Sequence, residues 1–179
     1  MASKEQLNRR LEFLGINGAE ARRLQALHPL LVESSETLVT DFYRHLLSFP
    51  ETSELVKDPQ RGDRLLREQR AYLLGLTSGP VDDEYVEERR RMGEAHVEAG
   101  LPPGLFLRAA SHYFSMLAYM IEDTVYGDVE QLRLILVSLA RRILLDTELS
   151  MDAYFEGHTR RLRYMNEQLA RELREGRAR

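Results

Sequence analysis

The chain has 179 residues, 43% of them hydrophobic and 30% charged, with a formal net charge of −4; this is enough for one sizeable core and is the composition of a globular domain. It contains no cysteine, which excludes disulfides, thiolate nucleophiles and cysteine-held metal centres. No uncharged apolar run approaches ~18 residues, the start MASKEQLNRR lacks a signal-peptide core, and no one-sided basic block is present. The expectation is a cytoplasmic protein whose partners include neither membrane nor nucleic acid.

From the N-terminus, Leu7, Leu11 and Leu14 recur at helical spacing and predict a short amphipathic helix over 4–14 that Gly15 ends. Asn17 with Glu20 has the spacing of a capping box and opens a second helix toward Leu27. His28-Pro29 interrupts it, since the residue before a proline is pushed out of helical geometry, and Pro29 then starts a third helix to about Ser48. Leu30, Leu31, Leu38, Phe42, Leu46 and Leu47 give that helix its apolar faces, and Phe49-Pro50 closes it. The polar stretch ETSELVKDPQRGD has room for one short turn. Leu65, Leu66, Tyr72, Leu73 and Leu76 predict a further helix from Arg61 to about Thr77, closed by Ser78-Gly79-Pro80.

Asp82 or Asp83 can cap the next helix, which carries Val86, Met92, His96, Val97 and Leu101 at roughly helical spacing. Gly100 can take a left-handed cap there, and Pro102-Pro103 opens another helix that runs to Gly127. Asp128 can cap the last helix, which continues from Val129 to about Leu173 without a proline and with Gly157 as its only glycine. At about 1.5 Å per residue it is roughly 65–70 Å long, more than the diameter of a small domain, so its far half must project or pack on another chain. No alternating run bounded by hairpin turns reads as a strand. The fold class is all-α, with seven or eight unequal helices packed orthogonally around proline corners.

The histidines are His28, His45, His96, His112 and His158. Neither HExxH nor ExxH occurs, so a zincin or a di-iron carboxylate bundle is not expected. Asp41 and His45, four apart, read as a surface pair. His158 has no nucleotide-binding segment after it, and neither a nucleophile elbow nor a phosphate loop is present. His96 reaches the interior within about one turn of a sharp corner. It reads either as a satisfied core histidine or as a ligand, and a deep imidazole with no second ligand suits proximal ligation of haem iron with a position left for a gas. Such a site needs apolar walls and a hydrogen-bond donor for the gas. Tyr43, next to Phe42 in a helix well upstream, is the candidate donor; the other reading is a boundary tyrosine with its hydroxyl in water.

Taken together, these residues resemble the sensor domain of globin-coupled sensors, a family close to the protoglobins. The matching features are the short extra helix before the core, the FYRHL segment at 42–46 and RRRMGEAHVEAGLPP at 89–103. The resemblance extends from about Leu11 to Tyr154 and implies a globin-like fold with an extra N-terminal helix and a long C-terminal helix. It implies His96 as the proximal ligand of haem b iron, Tyr43 as the distal hydrogen-bond donor to O2, and Phe42 and Leu65 as distal-pocket residues, Leu65 by its spacing from Tyr43. CO, NO, cyanide and imidazole are further ligands that such a site takes. Met92, Val97, Leu101 and Phe106 are placed in the pocket wall from their position near His96. Glu68, one turn after Leu65, stands where some members carry a small polar side chain, and a carboxylate there would repel bound dioxygen; entry of Glu68 or His45 into the pocket is left open. Arg89, Arg90 and Arg91 permit a solvated helix face or contact with haem propionates.

Phe155, Leu162 and Leu169 are seven apart, and Thr159, Asn166 and Leu173 follow each of them by four, a two-heptad seam in which Asn166 can set register. Residues 1–154 are thus expected to form the sensor domain and 155–179 a coiled-coil-like linker toward an output domain outside this chain. The resemblance implies a homodimer through the last two long helices and relay of ligand state to a transmitter such as a histidine kinase or a diguanylate cyclase. The expected function is a haem-based dioxygen sensor, regulatory and not itself an enzyme. The rival reading is a haem-less globin-like module for protein interaction or an apolar ligand, which needs neither His96 nor Tyr43. A haem enzyme acting on peroxide or nitric oxide is a further alternative, without a recognisable distal acid–base pair.

Overall fold

The structure, a computed structural model, describes residues 4–56, 62–125 and 127–177, with side chains through 174. Among the described residues there are eight helices and no strand: α1 (Lys4–Leu14), α2 (Gly18–Gln25), α3 (His28–Leu47), α4 (Pro50–Val56), α5 (Gly62–Gly75), α6 (Asp83–Glu98), α7 (Pro103–Thr124) and α8 (Val129–Arg177).

The helix ends follow local chemistry. Asn17 accepts from the Ala19 and Glu20 N–H groups at 2.9 and 3.4 Å, Asp82 from Tyr85 N–H at 2.9 Å, and Asp128 from Gln131 N–H at 2.9 Å. Glu20 turns its carboxylate away from the expected box to Arg141 of α8, 2.6 Å away, because a buried charge needs a counter-charge more than a cap does. Helix α3 begins at His28, one residue before the proline, with the imidazole Nδ1 2.9 Å from Thr77 Oγ1. Pro50 opens α4 where a closing corner was expected, and α4 has about two turns, not one. The expected start of the next helix, Arg61, lies outside the described residues. The α6–α7 corner forms as the sequence predicts. Gly100 has φ of 71°, and the Leu101 N–H returns to the His96 carbonyl at 3.0 Å before extended Pro102 starts α7.

The main core joins α2, α3, α5, α7 and α8 through Leu24, Leu31, Phe42, Leu73, Leu117 and Leu139. Each such side chain stabilises the fold by about 1.5–3 kcal/mol through burial. A second cluster of Leu7, Val86, Leu145 and Leu149 seals α1 against α6 and α8.

The tightest contact is between α6 and α8. A Cβ added at Gly93 would stand 2.1 Å from the Ser150 carbonyl oxygen, so the helices meet backbone to backbone. Ser150 Oγ donates to the Arg89 carbonyl at 3.1 Å. Beside that contact, buried Asp146 accepts from the Tyr85 hydroxyl at 2.5 Å and lies 3.0 Å from Arg89 Nε. The Arg89 and Arg142 guanidiniums sit over the Tyr85 ring at 4.2 and 5.0 Å. Arg89 is therefore neither on a solvated face nor on the cavity wall. Arg90 reaches Glu156 of α8 at 2.7 Å, and Arg91 is exposed.

Helix α8 is continuous through the expected boundary at 154/155, and its 49 residues span roughly 70 Å at about 1.5 Å each. Past Tyr154 its side chains are mostly exposed, including Phe155, Leu162, Leu169 and Leu173. No helix among the described residues is long and apolar enough to cross a membrane.

Gly93→Ala should lower stability by about 1–3 kcal/mol, since backbone must move to admit the methyl group. Asp146→Ala should cost more, about 3–5 kcal/mol, because it strands the buried Arg89 charge. Denaturant midpoints of the two variants and the parent check both values.

Candidate functional site

Helices α3, α5, α6 and α7 surround a cavity of about 180 Å³. Phe42, Tyr43 and Leu46 come from α3, and Leu65, Gln69 and Tyr72 from α5. Met92 and His96 come from α6, with Leu101 at the corner and Phe106, Ala109 and Tyr113 from α7. Asp146 and Thr147 of α8 close one side.

His96 Nδ1 lies 2.6 Å from the Met92 carbonyl oxygen one turn back. A carbonyl can only accept, so the contact assigns the ring proton to Nδ1 and leaves the lone pair on Nε2. The Phe106 ring meets the imidazole edge-on at 4.9 Å. Burial holds the His96 pKa below the ordinary imidazole value, against the opposing pull of the Met92 hydrogen bond, so the neutral ring is the form at pH 7.

Tyr43 lies on the α3 wall of the same cavity. Its hydroxyl donates to the Leu65 carbonyl at 3.4 Å, a long and weak bond, and its ring packs edge-on against Phe42 at 5.7 Å. Burial first, and the Glu68 carboxylate second, push its pKa up to about 12, so it remains a protonated donor.

Of the residues expected in the wall, Phe42, Leu65, Met92, Leu101 and Phe106 line the cavity with Tyr43 and His96. Val97 does not. One helical step from His96 turns a side chain by about 100°, and Val97 faces Gly157 of α8, where an added Cβ would be 3.5 Å from its methyl. Glu68 is exposed and bonded to Arg64 at 2.9 Å, and the wall position on α5 belongs to Gln69. His45 stacks on His112 at 3.5 Å and is not part of the wall, while Asp41 pairs with Arg44 instead of His45.

Gln69, Tyr72, Tyr113, Asp146 and Thr147 were missed as wall residues. Three had a legible signal: Gln69 is four and Tyr72 seven residues after Leu65, and Tyr113 is seven after Phe106, spacings that return a side chain to the same helix face. Asp146 and Thr147 had none, because only packing brings α8 to the cavity.

The residues fit a haem. Iron takes a neutral imidazole nitrogen whose ring partner is held by a hydrogen bond, and His96 supplies both in a mostly apolar enclosure. No group of three or more His, Asp or Glu that would hold a metal ion by itself occurs among the described residues.

Helices alone among the described residues, around a cavity lined by the His96 imidazole beneath a proline corner, are the arrangement of a globin-type domain. The chain belongs to the protoglobin family, whose model matches residues 3–160. It is 33% identical over 162 residues to the haem-based aerotactic transducer HemAT of Halobacterium salinarum, covering 86% of this chain and 33% of that protein; the chain therefore spans about a third of that relative's length. Among solved structures it is similar to the globin domain of the Geobacter sulfurreducens globin-coupled sensor (TM-score 0.77, 23% identity, 82% of this chain and 96% of that one). It is also similar to the ferric globin domain of E. coli DosC (TM-score 0.64, 17% identity, 82% and 97%). The likeness to globin-coupled sensors read from the sequence is borne out, and the two structures establish the globin fold.

Nitrogen-15 NMR of the haem-free protein should report His96 as the Nδ1–H tautomer. Signals of an Nε2–H ring would remove the preformed ligand geometry.

Proposed function

We propose that this chain is a haem-based gas-sensor domain with dioxygen as its first ligand, regulatory in role and located in the cytoplasm. The observation that carries the reading is a single cavity holding both the neutral His96 imidazole, with Nε2 free, and the protonated Tyr43 phenol. His96 would hold haem b iron through Nε2, and Phe42, Leu65, Met92, Leu101 and Phe106 would enclose the macrocycle. When bound, the haem supplies a ferrous centre that takes a diatomic gas.

Tyr43 would exchange its weak bond to Leu65 for one to dioxygen. A hydrogen bond to a charged acceptor contributes about 1.5–3 kcal/mol, or roughly ten- to a hundredfold in affinity. Carbon monoxide, nitric oxide, cyanide and imidazole would enter the same cavity with less help from the phenol. A pKa near 12 keeps the donor intact through pH 10, the ordinary tyrosine value.

The route outward is through α6. Its backbone is locked to α8 at Gly93 and Ser150, so a displacement of His96 must move α8 with it. On α8 the exposed Phe155, Leu162, Leu169 and Leu173 form an apolar seam that a second copy would cover, with Tyr119 of α7 and Leu144 of α8 exposed nearer the core. We infer a homodimer through α7 and α8, a sensor domain over 1–154 and a linker over 155–179 leading to a transmitter such as a histidine kinase or a diguanylate cyclase. HemAT, a transducer about three times as long as the matched segment, supports a linked segment beyond the sensor domain.

Haem-supplied protein should show stoichiometric haem and a five-coordinate ferrous spectrum that converts to a stable dioxygen complex; a folded protein that takes up no haem would favour the interaction module. His96→Ala should lose the axial ligand, and normal haem content with an unchanged ferrous spectrum would remove it from that role. Tyr43→Phe should speed dioxygen release about ten- to a hundredfold while changing carbon monoxide release little, and the parent's release rate should stay flat through pH 10. Light scattering at micromolar concentration should give a dimer, weakened by Leu162→Glu.

A further inference from the structure

We propose that Tyr113 is a second gas-ligand contact, its phenol donating a hydrogen bond to dioxygen directly and independently of Tyr43. The inference rests on the gas-sensor reading above and adds a specificity-determining residue to it.

Tyr113 stands on α7 two turns after Phe106, within the cavity wall. Its ring packs edge-on against Phe42 at 5.1 Å and tilted against Tyr72 at 5.6 Å, which fixes where the hydroxyl goes. The residue is 3% exposed, and its hydroxyl has no hydrogen-bond partner among the described residues. Other buried side-chain atoms without a hydrogen bond belong to Arg10, Glu20, Arg89, Arg142 and Asp146. Each of those residues faces an opposite charge or, for Arg142, an aromatic ring. The Tyr113 hydroxyl is neutral, and its polar neighbours, the Gln69 side chain and the Tyr43 hydroxyl, stand close without completing a hydrogen bond to it.

An unpaired buried hydroxyl costs stability, and a phenylalanine would fill the same volume without that cost. A ligand with a lone pair inside the cavity offsets it. The Tyr43 hydrogen already leans toward the Leu65 carbonyl at 3.4 Å, so the Tyr113 hydrogen is the uncommitted one of the two. Burial pushes the Tyr113 pKa up, which keeps the donor protonated, while the hydrogen-bonding pull of the Gln69 side chain, which falls short of a formed bond, acts in the opposite direction. Donors on two walls favour a ligand that gathers negative charge. Dioxygen is selected over carbon monoxide accordingly.

The test uses Tyr113→Phe, Tyr43→Phe and the double variant in the full 179-residue chain. Without haem, Tyr113→Phe should melt at the parent's temperature or above it, since no bond is lost; a clear drop would reveal a structural partner for the hydroxyl and overturn the proposal. With haem, dioxygen release should quicken about three- to tenfold and carbon monoxide release change less than about twofold. Equal effects on both gases would overturn it. In the Tyr43→Phe background the effect should persist; its disappearance would make Tyr113 a residue acting through Tyr43. A parent that binds dioxygen normally, with Tyr43→Phe gas-selective and Tyr113→Phe silent, would sink this inference and leave the sensor reading standing. A parent without haem would sink the sensor reading itself.

Discussion

The close approach of α6 to α8 is the constraint on which the rest of the molecule depends. Helices usually pack with axes about 8–10 Å apart, held off by their side chains. Gly93 removes that spacer opposite Ser150, and the two backbones touch. Only at that separation can Arg89 and Tyr85 of one helix reach Asp146 of the other. The same contact sets the height of His96, one turn beyond Gly93, above the cavity floor formed by Asp146 and Thr147.

Two kinds of buried polarity result, and they have different physical roles. In the cluster at the helix contact, Asp146 is shared between Arg89, Tyr85 and Arg142, and burial raises its pKa while those three groups pull it back down. Such a cluster specifies one arrangement of two helices, because any sliding leaves charge uncompensated in a low-dielectric interior. In the cavity, by contrast, His96 Nε2 and the Tyr113 hydroxyl are left open and Tyr43 is held weakly. A fold that balances buried charges at one place and leaves neutral polar groups open at another has a rigid part and a receptive part. The receptive part lies where α3, α5, α6 and α7 converge.

Much of this was legible in the chain because it depends on neighbours in sequence. The caps at Asn17, Asp82 and Asp128, the Gly100 corner and the unbroken α8 all follow from residues within a few positions of one another. His96 and Tyr43 were singled out for another reason: the segments around them, FYRHL and RRRMGEAHVEAGLPP, resemble those of globin-coupled sensors, and the fold sets both residues on the wall of one cavity. Val97 was misplaced because closeness in sequence to His96 says nothing of helix face, and Arg89 escaped both readings offered for the arginines 89–91 because a charge run on an amphipathic helix has no mark of burial. Glu68 and Gln69 are adjacent, and the rotation of α5 gives the wall to Gln69 and the solvent to Glu68.

The sequence by itself determined the all-helical class, the order and approximate ends of the helices, the corner that presents His96 and the exposed seam at the far end of α8, since each is encoded by local backbone chemistry or by periodicity. The tertiary structure alone decided which residues share the cavity and which charges are buried. Asp146 lies 57 positions from Arg89 in the chain and 3.0 Å from it in space. Tyr113 is buried because Phe42 of α3 and Tyr72 of α5 pack against its ring. Burial and pairing of that kind arise from contacts between distant segments, and only the packed chain contains them.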